Sequence, residues 1–216
     1  MFENKTYPIF GFPTFISSLK DDKFDRKGII SSIEKNYNID KKRNCWDEGN
    51  LHHSLFDEKN NNRFNKVDFK SLIPIYHKHI IEFTDRLDWD RPPRYTFEIV
   101  NYTCMNEGGS MPFHVHKKCD FSAVHYLQYD STKNNSTRFL NPQTYLPDYI
   151  EAQHPSMKKL LNSHHNVNSF LLKDWMFKVW QDDLIIFPAF LRHDVPEIKQ
   201  TNKLRMTISF NISLHA

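Results

Sequence analysis

Glycine is scarce in this chain, with 5 residues in 216, and cysteine is scarcer, with 3. So little glycine beside 18 Phe, 9 Tyr and 4 Trp argues against a fibrous or low-complexity chain and for one packed body. Cys45, Cys104 and Cys119 are odd in number and lack Cys-x-x-Cys spacing, which sets aside a disulfide framework and a cysteine zinc site. No apolar run approaches the roughly eighteen residues of a membrane helix. The opening Met1-Phe2-Glu3-Asn4-Lys5 lacks the apolar stretch of a secretory leader. Neither sign of charge dominates, with 29 Lys and Arg against 26 Asp and Glu and a net charge of +3. Basic clusters occur at Lys41-Lys42-Arg43 and Lys117-Lys118, but acidic neighbours interrupt most basic stretches, so a nucleic-acid partner is not indicated. The expectation is a soluble, cytoplasmic protein of a reducing compartment.

The chain reads as one domain over 1–216, with an N-terminal helical part at 1–92 and a β core at 93–213. Residues 7–16, with two prolines among aromatics, suggest an extended strand. Apolar spacing predicts helices over Asp21–Tyr37 and Asp68–Leu87, the second with Pro74 near its start, where a missing amide donor is tolerated. The polar stretch 43–65 reads as a surface loop carrying His52 and His53. Pro92-Pro93 stop the helical pattern. Strands are expected at 97–102, 121–129, 137–140, 169–172, 177–180, 184–187 and 206–212, with a polar insertion at 143–166. Two helices ahead of seven or eight short strands suggest a helix-backed β-sandwich or barrel.

Three of the 12 histidines stand out. His114 and His116 follow Gly108-Gly109-Ser110, and in an extended segment they point to the same side, with Val115 directed into the opposite layer. His193 follows the buried-strand signature Leu184-Ile185-Ile186-Phe187 and its terminator Pro188. Three imidazoles on one face of an ion leave other positions open, as in non-haem iron oxygenases, and equally suit zinc with a bound water. His125, His52, His53, His164, His165 and His215 read as structural or solvent-facing, with His125 the reserve ligand among them.

Alternation in the last strand puts Arg205, Thr207, Ser209 and Asn211 on one face and Met206, Ile208, Phe210 and Ile212 on the other. An arginine opening a polar face inside an apolar sheet needs an anion. A small dicarboxylate would supply one through paired hydrogen bonds to the guanidinium, and an internal Asp or Glu is the alternative.

The order of these features resembles the 2-oxoglutarate and iron(II)-dependent oxygenases, most closely a group of small members from marine bacteria and their phages. The resemblance runs over about residues 94–213. It implies a double-stranded β-helix, a cupin-like jelly roll with the N-terminal helices packed on the barrel. It also implies Fe(II) and 2-oxoglutarate as cofactor and cosubstrate. His114 matches the first metal ligand and His193 the distal one, while Arg205 with Thr207 matches the cosubstrate clamp. Val124-His125-Tyr126-Leu127 resembles the strand after the first ligands, with Tyr126 placed to hydrogen-bond the cosubstrate. His116 stands where the family usually has Asp or Glu; Asp120 and Asp194 are the acidic alternatives. The activity so implied is hydroxylation of an unidentified small-molecule or peptide substrate with release of succinate and CO2, by a monomer or a homodimer. Two other readings stay open: a cupin-like metal enzyme that does not use 2-oxoglutarate, and a non-catalytic barrel that binds a small ligand. The stretches 43–65 and 143–166 are candidate rims of the pocket.

Overall fold

The computed structural model describes residues 5–9, 11–44, 46, 48–54, 64–143, 145–153, 156, 172–201 and 203–215. Two antiparallel sheets dominate. The larger runs β1 (Lys5–Ile9), β2 (Phe12–Ser18), β9 (Asp183–Pro188), β6 (Phe121–Gln128), β11 (Arg205–His215), β4 (Arg94–Met105) and β3 (His52–His53), in that spatial order. The smaller runs β5 (Met111–His114), β10 (His193–Val195), β7 (Arg138–Leu140) and β8 (Asp174–Met176). Among the described residues three α-helices accompany the sheets, α1 (Arg26–Ile39), α2 (Ile73–Asp85) and α3 (Tyr145–Gln153).

The first two helices form where the apolar spacing predicts them. Asp25 caps α1 by accepting from the Gly28 backbone N–H at 3.0 Å. Ile29 and Ile33 of α1, with Ile75, Tyr76, Ile80 and Phe83 of α2, bury one helical face each against the larger sheet. The sheet meets them with Met206, Ile208, Phe210 and Ile212, the apolar face of β11. Full burial of such a side chain stabilises the fold by about 1.5–3 kcal/mol, so this layer fixes which way β11 faces. On the other side of the sheet, Val124, Tyr126, Ile185 and Phe187 meet Phe139 of the smaller sheet in a second cluster. The Phe139 and Phe187 rings cross edge-on at 4.8 Å.

The N-terminal part is not purely helical. The stretch read as one strand is a hairpin, β1 and β2, whose second arm pairs with β9. Within the stretch expected to be a loop, His52 and His53 pair with Cys104 and Thr103 on β4 and are buried. A two-residue strand carries no periodicity, so only the ladder reveals it. The strand expected at 177–180 lies instead at Asp174–Met176. Residues 169–171 and most of 154–171 fall outside the described residues, as do His154, His164, His165 and Cys45. Among the described residues no helix is long and apolar enough to cross a membrane.

Candidate metal and cosubstrate site

Strand register brings the first two histidines together. His193 opens β10 directly opposite His114, the last residue of β5. The chain then leaves the strand, and the His116 backbone N–H donates to the Ala189 carbonyl at 2.9 Å, which turns the third ring toward the same point. Ring centroids lie 4.3 Å apart for His114 and His193, 5.4 Å for His114 and His116, and 5.3 Å for His116 and His193. One ring nitrogen from each falls within 4.8 Å of the others, a group that could hold a metal ion. Because the strand ends at His114, Val115 does not alternate into the opposite layer; it lines the same cavity.

Each imidazole is oriented by its other nitrogen. Nδ1 of His114 faces the Pro112 carbonyl at 2.9 Å, and Nδ1 of His193 faces the Leu191 carbonyl at 2.7 Å. Nδ1 of His116 faces Asn211 Oδ1 at 3.0 Å, with Ser122 Oγ at 3.2 Å. Oxygen acceptors select the Nδ1–H tautomer, which leaves Nε2 with its lone pair for a cation. Burial lowers the pKa of all three, and repulsion from His114 adds to this for His116, held at about 4, and for His193. Three imidazoles kept neutral are the protonation state that metal binding requires.

The acidic alternatives are occupied elsewhere. Asp194 binds Arg138 through two hydrogen bonds of 2.9 and 2.6 Å, and Asp120 Oδ2 accepts the Leu214 N–H at 2.7 Å. His125, the reserve ligand, lies in the core behind the sheet. Its Nδ1 meets the Tyr76 hydroxyl at 2.9 Å and its Nε2 faces Asp182 at 3.6 Å. His215 meets Thr96 Oγ1 near the far end of β11.

The histidines open on a cavity of about 650 Å³ between the sheets. Its wall along β11 is the polar face expected from alternation, Arg205, Thr207, Ser209 and Asn211. Arg205 is 1% exposed, and among the described residues no carboxylate pairs with it. Its Nε donates to the Asn135 carbonyl at 3.1 Å, and its guanidinium carbon lies 5.5 Å from the Tyr126 ring and 6.0 Å from the Tyr129 ring. Burial lowers its pKa, and the neighbouring Tyr126 and Tyr129 act in the opposite direction. Thr207 lines the cavity with its hydroxyl 2.7 Å from that of Thr103. Tyr126, expected to reach the cosubstrate, does not line the cavity; its hydroxyl donates to Thr137 Oγ1 and accepts the Thr137 N–H, both at 3.0 Å.

Several wall residues carried little signal in the sequence. Trp46 packs 4.7 Å from the His53 ring and 5.3 Å from His114. His53, read as structural or solvent-facing, lines the cavity, and burial pushes its pKa down to about 3. Asn101 Oδ1 is buried without a partner among the described residues. It stands beside Val100, the extra residue of a bulge in β4, so two consecutive side chains face the cavity. Asn211 was visible on the polar face of β11, but nothing in its spacing marked it as the partner of His116.

A family profile described as "Putative 2OG-Fe(II) oxygenase" matches residues 101–211, a span containing all three histidines and Arg205. No curated protein matches the sequence. Among solved structures, a prolyl-4-hydroxylase from Pseudomonas putida is similar with a TM-score of 0.53 at 8% identity, over 96% of each chain. A prolyl hydroxylase from Trichoplax adhaerens, solved with a hypoxia-inducible factor peptide fragment, gives 0.50 at 10% identity, over 93% of this chain and 83% of that one. A 2OG-Fe(II) oxygenase family oxidoreductase from Burkholderia pseudomallei is 15% identical over 56% of this chain, with a TM-score of 0.36; this chain spans about half of it, 47%. At these identities the likeness is one of fold, the mainly β jelly roll of the 2-oxoglutarate oxygenases.

Proposed function

This chain belongs to the 2OG-Fe(II) oxygenase family, and from that premise we propose that His114, His116 and His193 hold Fe(II) while Arg205 holds the far carboxylate of 2-oxoglutarate. The activity is hydroxylation of a small-molecule or peptide substrate. The observation that carries this reading is Arg205, a fully buried guanidinium without a carboxylate partner among the described residues, lining the same cavity as three converging imidazoles. An unpaired buried charge is strongly unfavourable, so a ligand anion is what the pocket lacks. An arginine paired inside the protein, the alternative reading, finds no such partner among the described residues.

The donor set suits a divalent first-row ion, since neutral nitrogens on one side leave positions open toward the cavity. When bound, Fe(II) and 2-oxoglutarate supply the oxidising chemistry, consuming O2 and releasing succinate and CO2 with the hydroxylated product. The chain supplies geometry. Pro112, Leu191 and Asn211 fix the ring planes and tautomers of the three histidines. Arg205 is held from behind by Asn135 and the two tyrosine rings, so it is aimed before its ligand arrives. Thr207 sets a hydroxyl on the same wall. With His116 in place of a carboxylate, the three protein ligands add no negative charge to the ion.

Calorimetric titration tests this reading. Arg205→Ala should weaken 2-oxoglutarate binding far more than metal binding. Equal loss of both would remove Arg205 as the clamp.

A further inference from the structure

The cavity has two cationic regions and no Asp or Glu among its described lining residues. Arg205 lies buried on the β11 wall. Lys117 and Lys118 lie at the exposed mouth, one and two residues beyond His116. Beyond the end of β5 the chain is no longer extended, with a φ of 63° at Lys118, and both lysines line the cavity. Neither has a carboxylate partner among the described residues. Asp120, the nearest acid in sequence, is turned away to the Leu214 amide. Trp46, Met111 and Val115 give the same cavity an apolar wall close to the histidines.

We propose that the primary substrate is a small organic anion, its acid group held at the mouth by Lys117 and Lys118 and its aliphatic body lying against Trp46 and Val115. This rests on the function proposed above, in which Arg205 is already taken by 2-oxoglutarate, so the lysine pair is the cationic site left over. Apolar contact near the metal and a charge anchored at the mouth would present a C–H bond of the body to the reacting centre and keep the acid away from it. A neutral peptide segment would gain nothing from either ammonium group.

Pentanoate and its neutral isostere pentanamide separate charge from shape. Their dissociation constants are measured by ligand-observed NMR on Zn(II)-loaded protein, where no turnover occurs, with saturating 2-oxoglutarate. Wild-type protein should prefer the acid by about three- to tenfold, as two exposed ion pairs imply. The exposed-site variant Lys117→Gln/Lys118→Gln should lose that preference while binding metal and 2-oxoglutarate as before. No acid preference, or one that survives the double substitution, overturns the inference. So does a preference seen only without 2-oxoglutarate, which would put the acid at Arg205. Binding of 2-oxoglutarate is read separately: its failure would sink the proposed function yet leave a lysine-dependent preference visible.

Discussion

His116 and Asn211, 95 residues apart in sequence, meet inside the cavity through Nδ1 and Oδ1 at 3.0 Å. The contact ties His116, the one of the three site histidines outside a strand, to the wall that also carries Arg205. Partners of this kind typically contribute about 10- to 100-fold in metal affinity. Asn211→Ala should therefore weaken Zn(II) binding by about that factor in a competition titration against a chromophoric chelator. Unchanged affinity would show that His116 needs no support or is not a ligand.

Arg205 separates stability from function. Arg205→Met replaces a buried unpaired charge with an apolar side chain of similar length, which should stabilise the ligand-free protein by about 1–3 kcal/mol in urea unfolding. The same substitution should weaken 2-oxoglutarate binding by about 100-fold or more. A loss of stability would mean that the guanidinium is satisfied in a way its neighbours Asn135 and Met105 do not explain.

His193 and His125 are both buried but should behave in opposite ways. His193→Ala should abolish metal retention through gel filtration, measured by elemental analysis. His125→Phe breaks the contact with Tyr76 and leaves a hydroxyl unpaired in the core, and should lower stability by about 1–3 kcal/mol. Metal content should stay at the wild-type level. Loss of metal in the His125 variant alone would move the site.

Acid should destabilise the metal-free protein. Burial pushes His116 down to about 4 and His53 down to about 3 when folded, both below the usual histidine value of about 6.5. Between the folded and unfolded values the unfolded chain binds more protons, so stability rises with pH and falls on acidification from about 6.5 toward 4. Urea midpoints at pH 7.5 and 5 should show the drop, and a double variant lacking both rings should show less of it. Equal slopes would contradict the assigned burial.

Periodicity made the helices legible, since Ile29 and Ile33 in α1 and Tyr76, Ile80 and Phe83 in α2 repeat at steps of three or four and bury one face each. The same holds for β11, whose alternation correctly divides Arg205, Thr207, Ser209 and Asn211 from the apolar face. Short strands such as β3 and β10 escaped because two or three residues hold no period. The expectation that Val115 would face away failed because alternation stops where the strand stops.

What the sequence determined by itself is local: which segments coil or extend, which face of each is apolar, and that an arginine opens a polar face in the last strand. Those properties follow from steric and solvation preferences acting over a few residues. Only the tertiary structure decided that His193 pairs with His114, that His125 belongs to the core, and that Trp46, Asn101 and the lysine pair share a cavity with the histidines. Such meetings depend on strand register and sheet packing, which are set by the burial of the whole chain at once.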